Sequence, residues 1–262
     1  MCSVFHPARG WAGLRLLRAA ALVAALSLPV AACGGDGEVE VDLQARALRQ
    51  LAENRSVSGL QAGDPAPRAR KAQALWVTRR GLARMKQLTD SVSGQYGIDV
   101  NQLPPAYGTQ EYYVNAAGHP EVREYFAQYA AYARDMRENA FPWMQQSLSA
   151  DLAQTRLGKD FAQGMLRGLE SKHRTFRRAM GTAGNAASDM VELHDFLVAI
   201  GGRVSYSMTG QLQFESVNDM ARVQEMEQRV QAGFREAAEY SARAEQESRE
   251  QLQAFTSETT RR

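Results

Sequence analysis

The side chains best suited to chemistry are few and scattered. His119, His173 and His194 lie far apart in the chain and share no metal-ligand spacing. There is no His-Glu-x-x-His, no Cys-x-x-Cys, no phosphate-cradling glycine loop and no Gly-x-Ser-x-Gly turn. No metal and no cofactor are therefore expected, and no catalytic residue can be assigned. His194 adjoins an apolar helical stripe, where a structural or solvent-facing histidine is the competing reading. Carboxylates are abundant, but an acid–base pair needs two at a fixed separation, and spacing alone selects none. A site assembled in space stays open.

Tyrosine is the other concentrated chemistry. Tyr107, Tyr112, Tyr113, Tyr125, Tyr129 and Tyr132 are six of the nine in the chain. A phenol joins an apolar ring to a polar tip, which suits partner or glycan surfaces. Tyr125, Tyr129 and Tyr132 fall at helical spacing and read as core. Tyr107, Tyr112 and Tyr113 fall in an irregular connection and are the candidate ligand or partner contacts.

Cysteine points to location rather than reaction. Only Cys2 and Cys33 occur. The run Leu28-Pro-Val-Ala-Ala-Cys33-Gly-Gly looks like a bacterial lipobox, where a signal peptide is cut and the cysteine acylated. Upstream lie Arg9, Arg15 and Arg18 without an acid, then the apolar stretch Ala19 to Leu28. That stretch has the length of a signal h-region and is too short for a bilayer span, which takes about 20 residues. An ordinary secretory signal cut near Ala-x-Ala is the rival reading. A lone exported cysteine forms no internal disulfide, and Cys33 stands at the cleavage point, so lipidation of Cys33 is expected. Gly34 lacks the aspartate associated with inner-membrane retention, which favours the outer membrane, inner leaflet, facing the periplasm. Residues 1–32 then form the signal peptide and 33–64 a lipidated tether with a short helix. Residues 65–262 form the domain. The signal removes three arginines and no acid from totals of 31 basic and 29 acidic residues, so the mature chain is near neutral. That excludes a global nucleic-acid-binding reading.

The elements that must position these residues are mainly helical. Leu43, Ala47, Leu48 and Leu51 give helical spacing within 39–51, and 59–67 reads as a loop. Pro142 is the last proline, and its absence thereafter permits long helices. Helices are expected over about 68–96, 120–148, 157–180, a stretch ending near Ile200, and 217–254. Pro142 is expected to kink the last turn of its helix, and Gly181-Thr-Ala-Gly184 to kink or break the chain. The connection 97–120 is longer than most loops, hence partly structured or functional. The fold class is thus mainly α, a bundle of about five to six helices with one small β-hairpin at about 203–214. Val204, Tyr206, Leu212 and Phe214 alternate with polar residues. A three-residue Met208-Thr209-Gly210 loop sets Tyr206 opposite Leu212 and Val204 opposite Phe214, with Gly210 in the left-handed position. Its apolar face should dock on the helices, because a lone hairpin is marginal in water.

Charge and small residues add three expectations. Residues 65–89 carry Arg68, Arg70, Lys71, Arg79, Arg80, Arg84 and Lys86 without an acid. A second basic cluster joins Arg167, Lys172, Arg174, Arg177 and Arg178. Contact with anionic lipid competes with a solvated face or complementarity to the acidic final helix. On that helix Glu225–Arg229, Glu239–Arg243 and Glu245–Arg249 are spaced to pair. Gly164 and Gly168 suggest close packing of a helix.

The block Leu193-His-Asp-Phe-Leu-Val-Ala-Ile-Gly-Gly-Arg-Val-Ser-Tyr, followed by Gly210-Gln-Leu-Gln-Phe-Glu-Ser and a long helix, resembles the C-terminal part of YiaF-like lipoproteins of Gram-negative bacteria. The resemblance covers about 60 residues and extends to the lipobox and the layout of the N-terminal half. It implies a helical lipoprotein of poorly defined function and supplies no catalytic residues. Lipobox and architecture together lead to the expectation of a non-enzymatic binding or scaffolding protein. It would be held to the membrane by its N-terminal lipid, with a possible envelope protein partner and an oligomeric state the sequence does not set. Recognition of a glycan or small amphipathic ligand, and an envelope hydrolase, are the alternatives.

Overall fold

The computed structural model describes residues 66–100, 102–207 and 211–260. Cys33, the helix expected within 39–51 and the Met208-Thr209-Gly210 loop lie outside them. The described chain is 81% helical, so the fold is mainly α. In order it comprises α1 (Arg70–Gln95), α2 (Gln110–Val114), α3 (Pro120–Ala153) and α4 (Lys159–Ile200). These are followed by β1 (Val204–Tyr206), β2 (Leu212–Phe214) and α5 (Val217–Thr260).

Local chemistry sets most of these boundaries. The Gln73 side chain fastens the start of α1, donating to the Pro67 carbonyl at 2.8 Å and accepting from the Arg156 amide at 2.9 Å. Gly97, at φ 66°, closes its end, and the Ile98 amide returns to the Ser93 carbonyl. Pro120 opens α3 at the one turn where its missing N–H costs nothing. Ser216 caps α5 through its hydroxyl, which accepts from the Asp219 amide at 3.3 Å.

Three boundaries differ from expectation. Pro142 lies inside α3, which continues to Ala153, so it does not mark the last turn. The stretch Gly181–Gly184 breaks nothing, and α4 runs unbroken to Ile200. Its small residues instead admit a neighbour: a Cβ on Gly184 would stand 3.3 Å from that of Ala133. α5 continues past Ala254 to Thr260.

The chain between 66 and 260 divides into two compact units rather than reading as one block. One comprises 92–135 and 179–238. The other comprises 66–91, 136–178 and 239–260. The long helices α3, α4 and α5 each give one part to each unit, which a residue-by-residue reading of apolar stripes does not reveal.

In the first unit the core is built on Phe126, Tyr129 and Phe234, whose rings meet at 6.1 and 6.2 Å. Met190, Leu193, Leu197, Val223 and Val230 are buried with them. The hairpin pairs antiparallel in the expected register, Val204 with Phe214 and Tyr206 with Leu212. The Ser207 amide reaches the Gln211 carbonyl at 2.8 Å, and α2 lies against the hairpin. Val204 and Leu212 are buried, whereas Tyr206 is 45% exposed, so only part of the apolar face is docked. Arg203 meets Asp219 at 2.7 Å and ties the hairpin to α5. Arg229 reaches Asp189 and Glu192 on α4 at 4.0 and 3.6 Å, where its spacing suggests pairing with Glu225.

α5 comes close to α4 at Gly233. An added Cβ would lie 2.8 Å from that of Ala186, inside any ordinary carbon contact. Gly233→Ala gains about 1 kcal/mol of helix propensity and loses about 1–3 kcal/mol to overpacking. We expect a net destabilisation of about 1 kcal/mol, read as faster amide exchange across 183–193 and 226–237. At Gly164, in contrast, an added Cβ meets nothing within 4 Å among the described residues.

The core of the second unit gathers Leu75, Trp76, Val77, Leu82 and Met85 of α1 with Met144, Leu148 and Leu152 of α3. Leu157, Met165 and Leu169 complete it. Arg243 pairs with Glu239 at 3.9 Å as its spacing anticipates. The side chains of Glu245 and Arg249 lie outside the description. Lys172 reaches Glu247 at 3.3 Å, the complementarity between basic cluster and final helix that the charges allow.

Candidate functional site

The first unit holds a group of buried polar side chains centred on α2. This helix has five residues, too short to stand alone. Thr109 caps it, its hydroxyl accepting from the Tyr112 amide at 3.2 Å, and consecutive tyrosines anchor it. Tyr112 is fully buried, its hydroxyl 3.1 Å from His194 Nδ1 on α4. Tyr113, also buried, donates its hydroxyl to Glu227 Oε1 on α5. Tyr107, half-buried, sets its ring edge-on to Phe126 at 5.0 Å and to Tyr112 at 6.4 Å. Two side chains that are neighbours in sequence thus fasten one short helix to two long ones.

These placements show where the candidate ligand or partner contacts Tyr107, Tyr112 and Tyr113 lie. The rings of Tyr112 and Tyr113 are in the core and their hydroxyls are engaged. Only Tyr107 keeps part of its surface accessible. Tyr129 and Tyr132 are buried and Tyr125 is half-buried, as their helical spacing predicts.

The electrostatics follow from burial. Glu227 is desolvated, which pushes its carboxyl up to about 6 against the opposing hydrogen bond from Tyr113. Desolvation raises the Tyr113 and Tyr107 phenols well above their ordinary value, and the Glu227 charge adds to this. Desolvation lowers His194, with Asp195 pulling the other way. Asp195 is paired with Arg123 at 2.7 Å at the surface, and that hydrogen bond lowers its carboxyl. His119 also lies near Tyr112, ring centroids 6.4 Å apart, with its Nδ1 3.1 Å from Glu121.

Chemically this cluster can take up a proton on Glu227 as pH falls to about 6, and position phenols. It lacks the ordering of a nucleophilic site: the hydrogen bond at His194 Nδ1 goes to a phenol, not to a serine or cysteine. Among the described residues no three His, Cys, Asp or Glu side chains converge as a metal would require. His173 lies in the second unit, stacked on Phe141 at 4.3 Å, with burial lowering it to about 4.

The second unit has its own buried charge cluster. The Asp151 side chain is 0% exposed and meets Arg80 Nε at 3.0 Å and Arg84 at 2.8 Å, both through Oδ1. Arg84 also donates to the Ser147 carbonyl at 3.2 Å, and the Arg80 guanidinium lies 4.7 Å from the centre of the Trp76 ring. Burial raises the Asp151 carboxyl against the pull of both arginines. Part of the basic stretch 65–89 is therefore internal rather than a face for anionic lipid.

Neither Glu227 nor Asp151 stands out by motif or spacing, although both carry a readable signal. Glu227 interrupts the apolar stripe between Val223 and Val230. Asp151 lies on the stripe of Met144, Leu148 and Leu152. An acid at a core position is the signature of a buried, partnered carboxyl. Compared with protein-family models, with curated proteins and with solved structures, the chain matches none.

Proposed function

We propose that this is a lipid-anchored cell-envelope protein of non-enzymatic binding or scaffolding type, facing the periplasm. The observation that carries the reading is Cys33, the sole cysteine after the apolar stretch and placed within a lipobox-like run. The resemblance to YiaF-like lipoproteins supports it. No helix among the described residues is long and apolar enough to cross a membrane, and the lipid supplies the attachment. A hydrolase would need Glu227 or His194 to reach a substrate, but both are buried and hydrogen-bonded to tyrosines. A glycan surface built on Tyr112 and Tyr113 would need rings that the core already uses.

The expected result for Cys33→Ala is complete loss of fatty-acid labelling and release from the membrane fraction. Persistent labelling would remove the foundation of the reading. Crosslinking in intact cells then separates the binding classes. A captured envelope protein supports scaffolding, and recovery of none shifts weight to a small ligand.

A further inference from the structure

The bases of the cluster on α4 part company in the fold. Lys172 turns inward and reaches Glu247, whereas Arg167, Arg174, Arg177 and Arg178 stay exposed. Between Gln163 and Arg178 the other exposed positions of α4 are Gln163, Glu170 and Ser171, so its open face there carries one acid against four bases. At about 100° per residue, Arg174 and Arg178 fall about 20° to either side of Arg167, and Arg177 about 80° away. Together they form one stripe about 17 Å long. None of the four forms an ion pair among the described residues, although Arg80, Arg84 and Lys172 of the same unit are all paired. Like charges at i,i+3 and i,i+4, as in Arg174–Arg177 and Arg174–Arg178, repel along a helix. α3 widens the patch. Its Phe141 stacks on His173 at 4.3 Å, and α3 and α4 run antiparallel across the short turn 154–158. Arg137 stands one turn before Phe141 and Arg177 one turn after His173, at the same level, and both are exposed. Glu138 is the exposed acid beside Arg137. The half-buried Phe141 and Leu166 border the stripe on the side of Arg177.

We propose that this stripe is a docking face for an anionic phospholipid surface, with Arg167, Arg174, Arg177 and Arg178 binding headgroup phosphates. A guanidinium grips phosphate through paired N–H donors. A row of them along one side of a helix matches a plane of anions rather than a single one. Phe141 and Leu166 give the row an apolar shoulder, the arrangement by which interfacial helices settle at the headgroup boundary. An acidic protein is the other partner that charge alone allows, but an unbroken arginine row with an apolar border suits the uniform charge of a bilayer better. The membrane in question rests on the envelope reading above, in which the lipid at Cys33 keeps the protein beside it. The stripe then has only to orient the second unit, and exposed arginines at a charged surface each contribute a few-fold in affinity.

The test uses the Cys33→Ala chain, purified as cells make it, so that no acyl group contributes. It is sedimented with vesicles of phosphatidylcholine alone, or of phosphatidylcholine and phosphatidylglycerol in equal parts. Stronger binding is expected to the mixed vesicles, weakening as salt is added. Arg167→Gln, Arg174→Gln, Arg177→Gln and Arg178→Gln together should lower that affinity about 100-fold or more. The urea midpoint should not change, because the four side chains make no internal pair. A charge-matched control carries Arg123→Gln, Arg134→Gln, Arg222→Gln and Arg235→Gln, all exposed and in the first unit. It should bind as its parent does. No binding, equal binding to both vesicles, or an equal loss in the control overturns the proposal. None of these outcomes touches fatty-acid labelling of Cys33, and absent labelling would leave the vesicle result standing, so the two readings fall separately. In cells, the full chain with p-benzoylphenylalanine at the exposed Ser171 should give a phospholipid adduct on irradiation. A protein adduct in its place, or none, overturns the proposal.

Discussion

Asp151→Ala is expected to destabilise the second unit by about 3–5 kcal/mol, because it removes the buried carboxylate that Arg80 and Arg84 share. The cost comes from the arginines rather than from the lost aspartate. Their side chains are 10% and 20% exposed, and Asp151 Oδ1 serves both. The Ser147 carbonyl and the Trp76 ring soften the loss without supplying a negative charge. Trp76 and Trp143 both belong to this unit, so tryptophan fluorescence during urea unfolding, in a Trp11→Phe background, reads it directly. The control is the triple replacement Asp151→Leu, Arg80→Met and Arg84→Leu. Apolar substitution of a whole buried ion cluster is often neutral or stabilising, so most of the loss should return. A single variant as stable as the parent would mean that water reaches the cluster.

Glu227→Gln is expected to act in the opposite sense and stabilise the first unit by about 2 kcal/mol at pH 7.5, as follows from the conversion of about 1.4 kcal/mol per pH unit. The Glu227 carboxyl titrates at about 6 in the fold against 4.5 for an ordinary glutamate, so keeping it ionised costs the fold that amount. The direction follows from proton counting. Between pH 4.5 and 6 the folded state binds more of this proton than the unfolded one, so stability falls as pH rises through that window. Below that window the penalty vanishes. The substituted amide would keep a carbonyl to accept the Tyr113 hydroxyl and carry no charge at any pH. Tyr113 is the titratable group acting on the carboxyl, and its phenol and that of Tyr107, which the carboxyl raises, stay neutral across the window. His194, lowered by burial, opposes the trend, since it disfavours the fold as pH falls below the ordinary imidazole value. The profile of the parent therefore mixes two slopes. The difference between parent and variant, measured by amide exchange in 190–234 at about pH 4.5 and 7.5, on either side of the window, isolates Glu227. Equal difference at both pH values would show that the carboxyl is solvated.

Sequence pattern reached the helices and the hairpin because both rest on local rules. Val204, Tyr206, Leu212 and Phe214 set the register, since a slip by one residue would turn all four to the other face. The boundaries that failed were those where a neighbour decides. Gly181 and Gly184 suggest a break in isolation, but in the fold Gly184 admits Ala133. Pro142 suggests a kinked last turn, but α3 continues well past it to Ala153. The surroundings of Tyr112 and Tyr113 escape sequence pattern for the same reason. Tyr112 and Tyr113 sit among Pro104, Pro105 and Gly118, a context that reads as exposed loop, and nothing local reveals that His194 and Glu227 await their hydroxyls. Long-range pairing of single polar groups leaves no periodic trace, so only an acid on an apolar stripe hints at it.

The interleaving of the two units bears on how the protein comes into being. Each unit is stitched from stretches distant in sequence, and the second needs residues from 66–91, from 136–178 and from 239–260. A chain emerging N-terminus first cannot close that unit until its last helix has appeared, so stepwise, unit-by-unit folding during synthesis is denied to it. Truncation before residue 239 would remove one of its three strips, with buried Ala244 and the Glu247 partner of Lys172. Single cuts cannot liberate either unit, and proteolytic dissection should yield complementing fragments rather than autonomous pieces.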